Sequence, residues 1–207
     1  MKENDMNKKL DKKRNTDFYL LYTAAFLAVA LALYLRFFTN GKSLVWSHDG
    51  VPQHLNSLAY YGRYLRQVLY TLFIEHKLSL PLWDMHIGYG SDILTTLHYY
   101  VIGDPLTLLA VFVPESKTET LYAFLIFLRI YLAGIAFSRY SFYHKNSKQA
   151  TFMGTMIYIF AGWTIYAAMK HPYFSNPMIY LPLILLGIDK IYKKEKPYTF
   201  ILSLIHI

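Results

Sequence analysis

Long apolar runs separated by shorter polar segments dominate the pattern of this chain. Four of them reach or approach the ~20 residues that an α-helix needs to cross ~30 Å of hydrocarbon. They lie at 18–38, 120–138, 150–169 and 173–188, and a fifth begins at Tyr198. The pattern predicts an all-α polytopic membrane protein whose first span is followed by a large polar and aromatic segment.

Basic residues are concentrated beside the apolar runs, in segments 2–14, 139–148 and 190–196. Cytoplasmic loops of membrane proteins are enriched in Lys and Arg. All three basic segments lie on one side only if the segment 93–113, which Asp104 and Pro105 interrupt, does not span. We therefore predict a multi-pass membrane protein with a cytoplasmic N-terminus.

The predicted topology follows from this charge count. It consists of a basic cytoplasmic tail at 1–16, spans at 17–38, 119–141, 150–169 and 176–190, outside loops at 39–118 and 170–175, cytoplasmic loops at 142–149 and 191–197, and the start of a fifth span at 198–207. Because the last run stops inside a span, where helix-end carbonyls would lie in lipid, we expect the chain to be the N-terminal portion of a longer protein.

Composition narrows the class of function. Only 16% of the residues are charged, against about 25% in soluble domains. The net charge of +8 belongs to the flanks of the spans, so membrane lipids are expected partners and nucleic acid is not. The chain has no Cys, which excludes disulfides and thiolate chemistry.

Two juxtamembrane helices are predicted in the outside loop, at about 51–77 and 93–113. Leucines recur at helical spacing in the first, and Pro52 suits its first turn. Asp49 directly precedes this helix, where a carboxylate is favoured by the helix dipole. From sequence alone, Asp49 is either a helix cap or a catalytic or ligand-binding residue.

The segment that follows the first juxtamembrane helix is rich in Trp, Tyr and Gly. Trp83 and Tyr89 offer flat faces on which a sugar ring can stack, although for Trp83 alone interfacial anchoring is the better explanation. The loop, together with Glu119 directly after it, carries seven carboxylates and five histidines without zinc-ligand spacing, which disfavours a zinc hydrolase. A hard cation held by carboxylates and phosphate oxygens is a second option.

Arg129 is the one charged residue deep within a predicted span. A lipid-facing Arg would cost at least ~2.5 kcal/mol, so its side chain should face a cavity or a partner. It either binds a lipid-linked phosphate in a bidentate manner or forms an ion pair with Asp92 or Asp104.

The order and spacing of several short motifs resemble those of a known family. The motifs are Asp49-x3-Gln53, Trp83 with Gly88-x-Gly90 and Asp92, Tyr100-x4-Pro105, Arg129-x4-Gly134, Phe160-x-Gly162-Trp163, His171-Pro172 and Tyr180-Leu181-Pro182. From about residue 17 to 200 the chain resembles the N-terminal portion of YfhO-type bacterial membrane proteins, which are GT-C-type glycosyltransferases. The resemblance implies a GT-C-like fold and transfer of a sugar from a polyprenyl-phosphate donor to an envelope polymer such as lipoteichoic acid.

The resemblance also implies a set of site residues. Asp49 matches the essential acidic residue of the first outside loop and is the predicted catalytic residue. The predicted substrate-binding residues are His48, Gln53, Trp83, Tyr89, Asp92, Tyr100, Asp104 and Arg129. A divalent cation (Mg or Mn) is a candidate cofactor, with Asp49 and Asp92 as its candidate ligands.

The predicted chemistry needs a base for the acceptor hydroxyl and positive charge for the departing phosphate. Asp49 can supply the first, and Arg63, Arg66, Arg129 or a metal the second. A transporter or flippase of lipid-linked sugars, or a non-catalytic envelope-assembly protein, is the alternative. Transporters concentrate polar groups in spans near the midplane, whereas here they are in the loop. A chain this short is expected to be inactive alone.

Overall fold

The computed structural model describes residues 2–204, with side chains from Thr16 onward, and it is mostly helical with almost no sheet. Its α-helices are α1 (Lys2–Thr39), α2 (Asn56–Phe73), α3 (Ile93–Leu97), α4 (Thr118–Tyr143), α5 (Lys148–Ile159), α6 (Gly162–Lys170), α7 (Asn176–Tyr192) and α8 (Tyr198–Leu204). The predicted all-α class is confirmed. Residues 205–207 of the predicted fifth span, and the basic side chains of the predicted tail, lie outside this description.

Two helical segments are long and apolar enough to cross a membrane, Thr16–Thr39 and Glu115–Tyr143. Their 24 and 29 residues correspond to roughly 36 and 44 Å at ~1.5 Å per residue. They overlap the predicted first and second spans. α4 lies at the centre of the molecule, with buried side chains along its length, and both α5 and α7 pack against it.

The predicted third span, 150–169, is not one straight helix. α5 ends at Ile159, α6 begins at Gly162, and the two helices are bent by 44°. Ala161 between them is extended, which interrupts the backbone ladder. The hydroxyl of Thr164 donates to the carbonyl of Tyr158 at 3.3 Å, so a side chain replaces a hydrogen bond that the break removes.

α7 covers the predicted fourth span and contains a proline in its interior, Pro182. A proline has no N–H, so the carbonyl four residues earlier loses its helical partner. That carbonyl belongs to Met178, and the hydroxyl of Tyr158 on α5 donates to it at 3.0 Å. The proline is therefore accommodated by a hydrogen bond from a neighbouring helix.

The first juxtamembrane helix differs from its predicted bounds of 51–77. It starts with a π-helical turn, Gly50–Leu55, continues as α2 and ends at Phe73, because the chain turns at His76 with a φ of 55°. α2 is amphipathic and packs its buried face against the second juxtamembrane segment.

The second juxtamembrane segment, predicted as one helix over 93–113, consists of three short pieces. They are α3, a π-helical turn (His98–Ile102) and a 3₁₀ helix (Pro105–Phe112). Asp104 directly precedes Pro105. Its backbone is extended, because a residue before proline is disfavoured in the helical region. The single-helix prediction is therefore wrong at this proline.

Two short antiparallel β-strands lie in the aromatic part of the loop. β1 (Trp83–Asp84) pairs with β2 (Ser91–Asp92), and Gly88 and Gly90 in the connection have φ values of 61° and 105°. Glycine adopts such angles without steric cost. The turn brings the N-terminus of α3 back to Trp83.

Candidate active site

Asp49 directly precedes the π-helical turn Gly50–Leu55, yet its carboxylate does not cap that turn. Its backbone carbonyl accepts the N–H groups of Gln53 and His54 at 3.1 and 3.2 Å, while its side chain makes no capping bond. The helix-cap interpretation is therefore wrong for the side chain. The carboxylate is 38% exposed.

Gln53 orients the carboxylate of Asp49. Its Nε2 donates to Asp49 Oδ1 at 3.1 Å, and its Oε1 accepts the hydroxyl of Tyr100 at 2.8 Å. The Asp49 carboxylate can only accept hydrogen bonds, so the amide nitrogen of Gln53 is directed at it, and the amide oxygen accepts from Tyr100. The structure brings together three predicted site residues from two juxtamembrane segments.

His171 approaches the other oxygen of Asp49. It lies between α6 and the 3₁₀ turn Pro172–Ser175, and its Nε2 is 3.7 Å from Asp49 Oδ2. Its Nδ1 is 3.3 Å from Nε2 of His54, which is fully buried. When the His171 ring is neutral and its N–H faces the carboxylate, its Nδ1 is an acceptor, and the proton between the two rings belongs to His54.

Burial lowers the pKa of His54 to about 4, and the nearby His171 and Arg129 act in the same direction, whereas Asp49 opposes them. His54 is therefore neutral near pH 7. Its Nδ1 is buried and has no hydrogen-bond partner within the described part of the chain. The ring acts as a fixed, uncharged support behind His171.

Arg129 forms the ion pair with Asp104 that was one of its two predicted roles. Arg129 Nη2 contacts Asp104 Oδ2 at 2.5 Å, and both side chains are buried. Arg129 Nε donates to Asn176 Oδ1 at 3.0 Å, and Asn176 Nδ2 donates back to Asp104 at 3.1 Å. Asp104 also caps the following 3₁₀ helix through the N–H of Leu106 at 2.9 Å.

The two arginines of α2 also donate within the protein. Arg63 Nη1 pairs with Glu115 at 2.5 Å, and both side chains are about half exposed. Arg66 Nη1 donates to the carbonyls of Ala110 and Val113 at 2.9 and 2.7 Å, at the end of the 3₁₀ helix. The bonds of Arg66 hold α2 against the second juxtamembrane segment, and the pair of Arg63 and Glu115 lies just beyond the end of that segment.

A cavity of about 530 Å³ opens beside these groups. It is lined by His98, Tyr99, Gly103, Asp104, Tyr173, Phe174, Asn176, Pro177, Tyr180, Leu181 and Ile184. The ring of Phe174 is 5.0 Å from that of His171, so the cavity wall adjoins the residue that faces Asp49. The pKa of Tyr99 is raised by burial and by Tyr100 and Asp49, consistent with a position near the carboxylate.

Trp83 and Tyr89 lie elsewhere, on the exposed aromatic turn. Tyr89 is 103% exposed and Trp83 is 59% exposed. Asp84 in this turn accepts bonds from the Tyr60 hydroxyl and the N–H of His86, which hold its pKa at about 2. Within residues 16–204, no hydrogen bond or ring contact joins Trp83 or Tyr89 to Asp49.

Asp92 is a helix cap. Its Oδ1 accepts the N–H of Thr95 at 2.7 Å and the Thr95 hydroxyl at 2.9 Å, and these bonds hold its pKa below the usual value. Among the residues described, no group of three or more His, Asp or Glu is placed to hold a metal ion. A cation at Asp49 would therefore need ligands from the substrate.

His48 is exposed, and its ring stacks on Trp46 with centroids 4.9 Å apart. Trp46, His54 and His171 were not predicted as site residues. His171 could be placed beside Asp49 only with the fold known, because 122 positions separate the two residues along the chain. The available signals were the His171-Pro172 dipeptide and the position of His54 five residues after Asp49.

The fold and the site define an all-α membrane protein with a carboxylate-containing cluster where the juxtamembrane segments meet the helices. Residues 21–207 match the family described as bacterial membrane protein YfhO. The chain belongs to the YfhO family, which supports a membrane-associated function in the cell envelope. Comparisons with curated proteins and with solved structures found no match.

Proposed function

We propose that the complete protein transfers a sugar from a polyprenyl-phosphate donor to an envelope acceptor, such as lipoteichoic acid or another surface glycopolymer, outside the cytoplasmic membrane. The observation that carries the proposal is the environment of Asp49. Its carboxylate caps no helix, is partly exposed, and is oriented by Gln53 and His171 next to an aromatic cavity.

In the proposed reaction, Asp49 is the general base. The acceptor hydroxyl gives its proton to the carboxylate while its oxygen forms a bond to the anomeric carbon of the donor sugar. The bond from that carbon to the phosphate oxygen breaks, and the polyprenyl phosphate leaves with the electron pair. The hydrogen bond from Gln53 holds the carboxylate in position, and His171 faces its other oxygen, which reduces the entropic cost of reaching the transition state.

The cavity of about 530 Å³ has the composition that a sugar site requires. The rings of Tyr99, Tyr173 and Phe174 provide apolar faces, and Asn176 and His98 provide groups that hydrogen-bond hydroxyls. The cavity continues along α7 to apolar side chains, which suits a substrate attached to a lipid. Enclosure there would exclude water and favour transfer over hydrolysis.

A divalent cation fits this proposal only together with the substrate. Mg or Mn takes carboxylate and phosphate oxygens as ligands. Asp49 can supply one such oxygen, whereas the oxygen of Asp92 that caps α3 is already used. The donor phosphate would supply the others.

Sugar transfer by the complete protein in liposomes tests the proposal. The donor is a polyprenyl-phosphate sugar labelled in the sugar, and label is followed into an added glycolipid acceptor. We expect label in the acceptor, and none when the acceptor is omitted. Movement of labelled donor across the bilayer without transfer would instead support the flippase alternative.

A further inference from the structure

The sequence offered three arginines for the phosphate of the donor, and all three are engaged within the protein. Arg63 pairs with Glu115, Arg66 donates to two backbone carbonyls, and Arg129 is buried against Asp104. Recruiting Arg129 for a phosphate would leave a buried carboxylate unpaired, which is strongly unfavourable. If a side chain rather than a metal ion binds the donor phosphate, it is therefore a residue other than these three arginines.

Lys170, the last residue of α6, meets this requirement. Its Nζ lies 4.4 Å from the centroid of the Trp46 ring and 4.5 Å from that of Tyr166, and we call these two side chains the ring pair. No carboxylate forms an ion pair with Lys170 among the residues with described side chains. The ring faces attract the charge but leave N–H donors for a further acceptor.

Trp46 connects Lys170 to the candidate active site. Its ring stacks on His48 and meets the ring of His171 edge-on, with centroids 5.8 Å apart. His171 is in turn 3.7 Å from the carboxylate of Asp49. The ammonium group and the proposed base are thus connected through the rings of Trp46 and His171.

The surroundings of Lys170 favour a lipid as the source of the anion. α6 is apolar, and its Trp163 and Tyr166 side chains are 55% and 58% exposed in the protein alone. Aromatic side chains of this kind are enriched at the level of lipid head groups, where a lysine at a helix end also places its charge. A lipid phosphate at this level would meet the ammonium group directly.

We propose that Lys170, positioned by the ring pair, binds the phosphate group of the polyprenyl-phosphate substrate. This inference rests on the proposed function, since it assigns the phosphate site of the same reaction. When the donor bond breaks, Lys170 would stabilise the charge that develops on the departing phosphate. A lysine presents a compact charge with several donors, which suits a terminal phosphate.

The test measures binding and needs no sugar transfer. The complete protein is placed in phosphatidylcholine nanodiscs, and its affinity for a polyprenyl monophosphate is compared across variants. We expect Lys170→Gln to weaken binding at least about tenfold, which corresponds to ~1.4 kcal/mol, close to the lower limit for one charge-assisted hydrogen bond. Lys170→Arg should retain most of the affinity, and Lys117→Gln, an exposed lysine on the same predicted side, should not change it.

The binding measurement involves no sugar transfer, so its result stands even if Asp49 is not the base. Equal affinity of wild type and Lys170→Gln would overturn the assignment. An effect of Lys170→Gln on phosphatidylglycerol binding but not on polyprenyl phosphate binding would also overturn it, and would identify Lys170 as a contact for bulk lipid.

Discussion

Asp49, Asp92 and Asp104 differ in what their carboxylates bind. Asp92 caps α3, and Asp104 combines a cap with a buried ion pair, so both are committed to the fold. Asp49 is contacted by the side chains of Gln53 and His171 and remains partly exposed. Chemistry at a carboxylate requires access and orientation together, and of these three residues Asp49 has both.

The buried pair of Arg129 and Asp104 predicts a large effect on stability. Arg129→Met should destabilise the protein by about 3–5 kcal/mol, because it leaves the carboxylate of Asp104 buried without its cation. The free energy of unfolding in mixed micelles measures this. Arg139→Met, an exposed arginine of the same helix, should change stability by no more than about 0.5 kcal/mol. Equal effects of the two substitutions would contradict the pairing.

His54 predicts a pH dependence of stability. Its folded pKa is about 4, whereas an unfolded histidine titrates near 6.5, so the unfolded chain binds more protons between these values. The contribution of neutral His54 to the free energy of unfolding is therefore complete above about pH 6.5. It is lost as the pH falls towards 4, by about 3 kcal/mol in total. Stability measured from pH 7 to 4 should fall less steeply in His54→Gln than in wild type.

The control for this experiment is His76→Asn. His76 is exposed and has a φ of 55°, a conformation that Asn tolerates, so this variant should keep the wild-type pH profile. A His54→Gln profile parallel to that of wild type over the whole range would show that His54 is not kept neutral by burial.

At the level of elements, the helices depend on one another where their own ladders are broken. Tyr158 on α5 donates to the carbonyl that Pro182 leaves without a partner in α7. Thr164 on α6 bonds back to the carbonyl of Tyr158 across the 44° bend. The carbonyl of Tyr158 at the bend therefore keeps a hydrogen-bond partner in an apolar segment, where an unsatisfied carbonyl would cost several kcal/mol in lipid.

The contact between α2 and the 3₁₀ helix Pro105–Phe112 predicts a glycine requirement. A Cβ added at Gly62 would lie 2.9 Å from the backbone carbonyl oxygen of Ala110, so Gly62→Ala should cost about 1–3 kcal/mol through overpacking. At Gly162 a Cβ would meet nothing within 4 Å, and Gly162→Ala should be neutral or stabilise by up to about 1 kcal/mol. Thermal unfolding of the two variants side by side checks this, and a Gly62→Ala protein as stable as wild type would argue against the close packing.

For the whole molecule, the sequence predicted the helical class and the long first and second apolar helices, because hydropathy over ~20 residues is a strong signal. It did not predict the bend between α5 and α6, since this apolar segment has no internal proline at the break. In the candidate site, Asp49 and Gln53 could be predicted as site residues because they are close in sequence. The contact between Asp49 and His171 could not be predicted, because it depends on how distant helices pack.

The predicted orientation is a property of the whole chain and can be tested on it. The protein has no Cys, so single cysteines at Lys77 and Gln149, both exposed, can be labelled by an impermeant thiol reagent in intact cells. We expect labelling of Lys77→Cys and not of Gln149→Cys, because the basic segments should be cytoplasmic. The opposite pattern would reverse the topology and place Asp49 on the cytoplasmic side.

The most direct test of the account is the rate of sugar transfer by Asp49→Asn in the complete protein. Asn is nearly isosteric and the side chain caps no helix, so folding and membrane insertion should be unchanged, whereas an amide cannot take the proton of the acceptor. Asp92→Asn is the matched control, because Asn caps helices as well as Asp does and transfer should persist. We predict that Asp49→Asn lowers the rate at least about 100-fold. A rate equal to that of wild type would contradict the assignment of Asp49 as the base.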